Sequence, residues 1–227
     1  MPTRSKLFWL FALPAAGRAK CVDEHASVIK LNCTQGDGIM PTVRQCRGIQ
    51  RILDAQCSQL ASVAFLESVV LGIGLMGGTE TQTTLLSMYG SQSLSAVYRQ
   101  DNAHGLWQDS WQLAHALTAI GEALEDSDSH GSVSRYIEIG VYTGWTNCLV
   151  AAFVRRMTGR ARHFEAFAVD VTQSHITPAT WSLFAQLNVA FHTPATIATQ
   201  LERWTAHGTA APGAHRRPPA GLCFIDG

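Results

Sequence analysis

From Arg135 onward, short apolar runs alternate with segments of helical period, and nothing else in the chain constrains its fold as much. "YIEIGV" (136–141), "FEAFAVD" (164–170), "NVAFHT" (188–193) and "GLCFID" (221–226) read as strands. Residues 145–157, 178–187 and 195–206 read as helices, the first with Leu149, Val150, Phe153 and Met157 on one face. The order β-α-β-α-β-α-β calls for a parallel sheet built from right-handed crossovers. The expectation is an α/β fold: a Rossmann-like parallel sheet with helices on both faces, represented by its first four strands. The longest loop, "HGTAAPGAHRRPPAG" (207–221), holds His215-Arg216-Arg217, a short basic cluster among prolines that reads as solvated.

The first 130 residues follow another pattern. Gly36, Asp37, Gly38 and Pro41 mark a turn-rich stretch, and from Ile49 to about Val70 the residues Ile49, Ile52, Leu53, Leu60, Val63 and Ala64 recur at helical spacing. Leu60 to Met76 is nearly long enough to span a bilayer, but a central acid such as Glu67 costs about 2.5–3.5 kcal/mol on insertion scales. A soluble helix is expected instead. Another is expected over 105–125, with Leu106, Leu113, Leu117, Ile120 and Leu124 as its seam and Trp107 and Trp111 one turn apart. His104 and His115 nearby receive no catalytic role. The polar stretch Glu125 to Ser134 separates this mainly helical region (21–130) from the α/β domain (131–227).

Residues 1–20 admit two readings. Arg4 and Lys6, an apolar run from Leu7 to Ala16 and small residues at Ala15, Ala16, Gly17 and Ala19 have the layout of a secretory signal. The alternative is an irregular apolar N-terminus on a cytoplasmic protein. Cysteine usage bears on the choice: in an exported chain, Cys21, Cys33, Cys46 and Cys57 form two disulfides in one of three connectivities. In the cytoplasm they are thiols. Cys148 and Cys223 lie in apolar stretches and read as buried thiols, and no Cys-x-x-Cys supports a zinc site. Lys+Arg and Asp+Glu balance at 17 each, so charge gives no reason to expect a nucleic-acid or anionic-membrane partner.

Two glycine patterns compete for a nucleotide. "GIGLMG" satisfies the dinucleotide fingerprint with Gly72, Gly74 and Gly77, but the run before it is at least as helical as extended, and Asp101 arrives late. It reads as a helix end or close packing; its alternative use is in a nicotinamide-dependent dehydrogenase. "EIGVYTG" (138–144) follows a strand and opens a helix. Gly140 permits the sharp turn at the strand end, and Gly144 permits a ligand to approach the first helical turn, whose free N–H groups attract anions. The next strand ends in Asp170, a carboxylate suited to both hydroxyls of a ribose.

"YIEIGVYTGWT", then "AVD" after one helix and "CFIDG" after two more, resembles the class I S-adenosylmethionine-dependent methyltransferases, closest to the group whose fourth strand reads on into Asp-Gly-Asp-His. The resemblance covers residues 135–227; this loop carries Val141-Tyr142-Thr143 between its glycines, without the central glycine of the stricter motif. It implies that Glu138, Gly140, Tyr142, Thr143 and Gly144 hold the methionine part of S-adenosylmethionine and that Asp170 binds its ribose. It further implies that Asp226 lies by the transferring methyl, where metal-dependent relatives use the matching acid as a ligand; nothing else in the sequence supports a divalent metal.

On that reading the chain stops at Gly227 before the acceptor site, as half of a methyltransferase domain whose fourth strand is an exposed edge open to self-association. The methyl acceptor stays unidentified. The competing expectation is a non-catalytic secreted or interaction protein that retains half of the fold.

Overall fold

The computed structural model describes residues 8–9, 21, 23, 29–33, 40–73, 110–126, 135–141, 143–159, 165–174, 176–208 and 221–225. The fold is mixed α/β and mostly helical. Its helices are α1 (Met40–Asp54), α2 (Cys57–Leu60), α3 (Val63–Ile73), α4 (Ser110–Asp126), α5 (Trp145–Thr158), α6 (Pro178–Leu187) and α7 (Pro194–Gly208). Its strands are β1 (Phe8–Trp9), β2 (Arg135–Ile139), β3 (Glu165–Val169), β4 (Val189–His192) and β5 (Gly221–Ile225).

The sheet runs in the order β1-β5-β2-β3-β4. β3 pairs parallel with β2 on one side and with β4 on the other. The far side of β2 pairs parallel with β5, in a register that sets Ile139 beside Ile225. Outside β5, Phe8 and Trp9 pair antiparallel with Phe224 and Cys223. The edge expected to stay bare is therefore joined over two residues by the segment read as a secretory signal.

Strand alternation sends Tyr136, Glu138, Ala166 and Ala168 to one face, and Ile137, Phe167 and Val169 to the other. Against the first face lie α5 and α6. Behind them α1 packs on α5 and α6, α3 on α1 and α4, and α4 on α5. The second face carries α7, whose Ile197 meets Phe167 and Val169. A single hydrophobic core extends from Leu31 to Val189, so the N-terminal helices and the sheet share one interior.

α5 is the helix that makes this possible. Twelve of its 14 residues are buried, so its apolar surface is not the single face formed by Leu149, Val150, Phe153 and Met157. Cys148, Ala151, Ala152 and Val154 are equally enclosed. A helix covered on every side is a core helix, and here the sheet lies on one flank and α1 and α4 on the other. Gly121 lets α4 come close: a Cβ there would lie 3.3 Å from the Phe153 ring.

The helix expected from Ile49 to Val70 is three pieces, and it starts earlier, at Met40. Pro41 falls in the first turn of α1, where its missing N–H removes no intrahelical bond. The break after Asp54 has a tertiary cause. The Nε of Arg156, on α5, donates to the Ala55 carbonyl at 2.8 Å. In a continuous helix that carbonyl would accept from residue 59, whose N–H turns instead to Gln56 O at 3.0 Å. Asp23 then accepts the Cys57 N–H at 2.7 Å and opens α2.

Two disulfides join the segment before α1 to the helices, Cys21–Cys57 and Cys33–Cys46. This selects one of the three open connectivities. With sequence separations of 36 and 13, the chain-entropy account assigns them about 4 and about 3 kcal/mol. Between them, Gln50 accepts the Leu31 N–H at 2.7 Å and donates to Ile29 O at 3.1 Å, while the Asn32 N–H donates to Gln186 on α6.

Gly72 lies in the last turn of α3, whose end carbonyls, Gly72 O and Leu71 O, accept from Arg44 at 2.9 and 3.3 Å. The "GIGLMG" glycine is a helix-end residue, as expected; Gly74, Gly77 and Asp101 lie outside the described residues. Glu67, the acid that argued against a membrane span, accepts from Ser110 Oγ at 3.2 Å. No helix among the described residues is long and apolar enough to cross a membrane.

α6 begins with Thr177 as N-cap and Pro178 in its first turn, and it ends at Asn188 in a left-handed conformation that asparagine tolerates. Its Thr180 and Phe184 press on Gly144, where a Cβ would lie 2.8 Å and 2.7 Å from their side chains. Gly144 also has φ +83°. Gly144→Ala should therefore cost about 2–4 kcal/mol of stability, from left-handed strain plus overpacking. Adding Phe184→Leu should cost less in that background than in the wild type, because the two side chains compete for one space. Urea unfolding of the four proteins in the double-mutant cycle measures both effects.

Candidate functional site

The carboxyl ends of β2, β3 and β4 are laced together by backbone hydrogen bonds. At the end of β2 the chain turns on Gly140, at φ +84°, and the Gly140 N–H donates to Val169 O on β3 at 2.9 Å. One strand further, the Asp170 N–H donates to His192 O at 3.1 Å. The loop closes when the Gly144 N–H donates to Val141 O at 2.9 Å, with Val141 and Thr143 buried beneath it. α5 then starts, its N-cap being the left-handed Gly144.

Each sequence-derived candidate can be placed on this frame. Glu138 is 1% exposed on the helical face of the sheet, and the Tyr136 hydroxyl donates to its Oε2 at 3.1 Å. Gly140 is half-buried at the mouth of the loop. Asp170 is also half-buried, directly after β3, and its Oδ1 accepts the Thr172 N–H at 3.2 Å, which holds the following turn. Gly140 and Asp170 are thus brought to one edge. The space expected to admit a ligand at Gly144 is taken by α6 instead, and Thr143 packs inward. Tyr142 and Asp226 lie outside the described residues; Asp226 follows Ile225, the last residue of β5 paired with β2.

Several further residues lie at this edge. Ile139 is 41% exposed and Val171 82% exposed, which sets an apolar residue just before Gly140 and another just after Asp170. His192 lies beside Val169 in register, on the α7 face, with its ring 5.4 Å from that of Phe167. Burial in this apolar setting pushes the His192 imidazole below its ordinary range. The signal was available: a polar ring in a strand-end position, two residues after Ala190 on the same face. At the start of α5, Trp145 Nε1 and Asn147 Oδ1 are buried and have no hydrogen-bond partner among the described residues, although Asn147 Nδ2 donates to Phe167 O at 3.2 Å.

Cys148, one turn into α5, is fully enclosed. Burial first and the Glu138 carboxylate second push its thiol well above the ordinary range. It is held as an inert thiol, a packing residue of the core. Among the described residues, no group of three or more His, Cys, Asp or Glu side chains is arranged to hold a metal.

The chain matches no protein-family profile, no curated protein and no solved structure.

The depressed His192 sets the sign of one pH effect. An imidazole that resists protonation when folded takes up its proton more readily when unfolded, so acid favours the unfolded chain. Below an ordinary histidine value of about 6.5, wild-type stability should fall more steeply than that of His192→Gln, and above it the two should run in parallel. Urea midpoints measured from pH 5 to 8 on both proteins check this (about one unit either side of the titration is needed).

Proposed function

We propose that the carboxyl edge of this sheet binds S-adenosylmethionine and that the protein is a class I methyltransferase unit acting on an unidentified acceptor. The observation that carries the reading is where the sheet changes direction. Chain order runs outward from β2 through β3 to β4 with α5 and α6 on one face, then returns over α7 on the other face to β5 on the far side of β2. The β2/β5 boundary is a topological switch point, and in open α/β sheets ligands settle in the crevice outside the strand ends there. The order β4-β3-β2-β5 corresponds to the 3-2-1-4 portion of a Rossmann-like sheet.

The residues at that edge suit the ligand's chemistry. Asp170 offers a carboxylate for ribose hydroxyls, and exposed Ile139 and Val171 offer apolar surface for a purine. Glu138, buried beneath the loop, supplies negative charge toward an ammonium group, and Gly140 keeps the backbone free of a side chain at the mouth. In the resemblance Asp226 follows β5 at the same edge. S-adenosylmethionine carries an already activated methyl group. The chain's own task is to orient it against the acceptor and to take a proton from a hydroxyl or amine acceptor.

A second reading, a non-catalytic secreted or interaction protein, is favoured by the two disulfides, which belong to oxidising compartments. Calorimetric titration with S-adenosylhomocysteine separates the two. The methyltransferase reading expects saturable binding by the wild type, weakened about 10–100-fold in Asp170→Ala through loss of a charge-assisted hydrogen bond. Absence of binding by the folded wild type, or equal binding by the variant, would sink it.

A further inference from the structure

The Cys21–Cys57 disulfide is built differently from its companion. It rests against Arg156, a side chain only 1% exposed, whose Nη1 lies 3.4 Å from Cys21 Sγ and whose Nη2 lies 3.8 Å from Cys57 Sγ. Asp23 pairs with the guanidinium: its Oδ1 is 3.4 Å from Arg156 Nη2 and accepts the Cys57 backbone N–H at 2.7 Å. Charge is therefore distributed unequally across the bond: the guanidinium lies nearer Cys21 Sγ (3.4 Å) than Cys57 Sγ (3.8 Å), and the carboxylate is held at the Cys57 backbone N–H. Both sulfurs belong to half-buried residues, whereas in the other disulfide Cys46 is 4% exposed.

We infer that Cys57 is a modification site that captures a low-molecular-weight thiol, of the glutathione or cysteine class, by thiol–disulfide exchange, with Cys21 as the leaving sulfur. The incoming thiolate attacks Cys57 Sγ and a new S–S bond forms there. The Cys21–Cys57 bond breaks, and its electron pair departs on Cys21 as a thiolate facing Arg156. One thiolate is consumed and one is released, so no oxidant or reductant is required. Exchange is faster when the leaving thiol is more acidic, and a thiolate beside an arginine is stabilised. Arg156 is in this sense a positioning residue: it forms no bond in the exchange and acts chiefly through Cys21, the nearer sulfur. The inference is independent of cofactor binding.

The test is a time course of the full-length oxidised chain with glutathione, quenched with N-ethylmaleimide and read by peptide mass mapping. The glutathione adduct is expected on Cys57 and the maleimide on Cys21, while Cys33–Cys46 stays intact and Cys148 stays unlabelled in the native protein. Arg156→Gln should slow adduct formation about tenfold, and Asp23→Asn, which keeps an acceptor for the Cys57 N–H, should quicken it several-fold. A loosened fold predicts the opposite for Arg156→Gln, faster opening of both disulfides; if that occurs, the Asp23→Asn rate decides. An adduct on Cys21, equal opening of the two wild-type disulfides, or no acceleration in Asp23→Asn overturns the inference.

Discussion

Burial of α5 on every side is the constraint from which the rest of the architecture follows. A 14-residue helix with 12 buried positions cannot lie on the surface of a sheet; it needs a second layer above it. The sheet supplies one wall through Tyr136, Ala166 and Ala168, and α1 and α4 supply the other through Ile49, Ile52, Leu117 and Ile120. The N-terminal helical region is in this sense structural to the α/β unit, because without it Phe153 and Met157, which lie against Gly121 of α4, would lose their enclosure.

Among the described residues, one buried cation inside that interface ties the layers together. Arg156 is buried among apolar neighbours, a costly position unless its charge and hydrogen bonds are met. Among the described residues it is met by the Ala55 carbonyl, the Asp23 carboxylate and the sulfurs of Cys21 and Cys57, all in the N-terminal region. Burial lowers the tendency of the guanidinium to hold its proton and Asp23 raises it again. A residue 101 positions distant from Ala55 thereby ends one helix, and Asp23, its ion-pair partner, opens the next by accepting the Cys57 N–H. The chemistry inferred for Cys57 is a consequence of the same arrangement.

Legibility in the sequence divided along the range of the forces involved. The strands near 136–141, 164–170 and 188–193 and the helix at 178–187 were readable because period and end signals are local; Thr177, Pro178 and Asn188 mark α6 within a residue. Gly140 and Asp170 were readable as residues of one edge because each follows a strand of a parallel pair. The break at Ala55 was not readable, since its cause is Arg156. Nor was the enclosure of α5: the sequence shows one apolar face, whereas the sheet on one flank and α1 and α4 on the other bury Cys148, Ala151 and Ala152 as well. Gly144 was legible as a position that needs glycine, but for a ligand's approach, whereas the space is filled by Phe184 and Thr180.

By itself the sequence determined the alternation of strand and helix after Arg135, the sharp turn at Gly140, and the presence of an acid after β3. These follow from side-chain period and from the φ that glycine alone adopts at low cost. Only the tertiary structure decided which cysteines pair, that α5 is enclosed on every side, and that Phe8 and Trp9 join β5. Those outcomes depend on groups far apart in the chain meeting in one place, and local sequence carries no record of the partner.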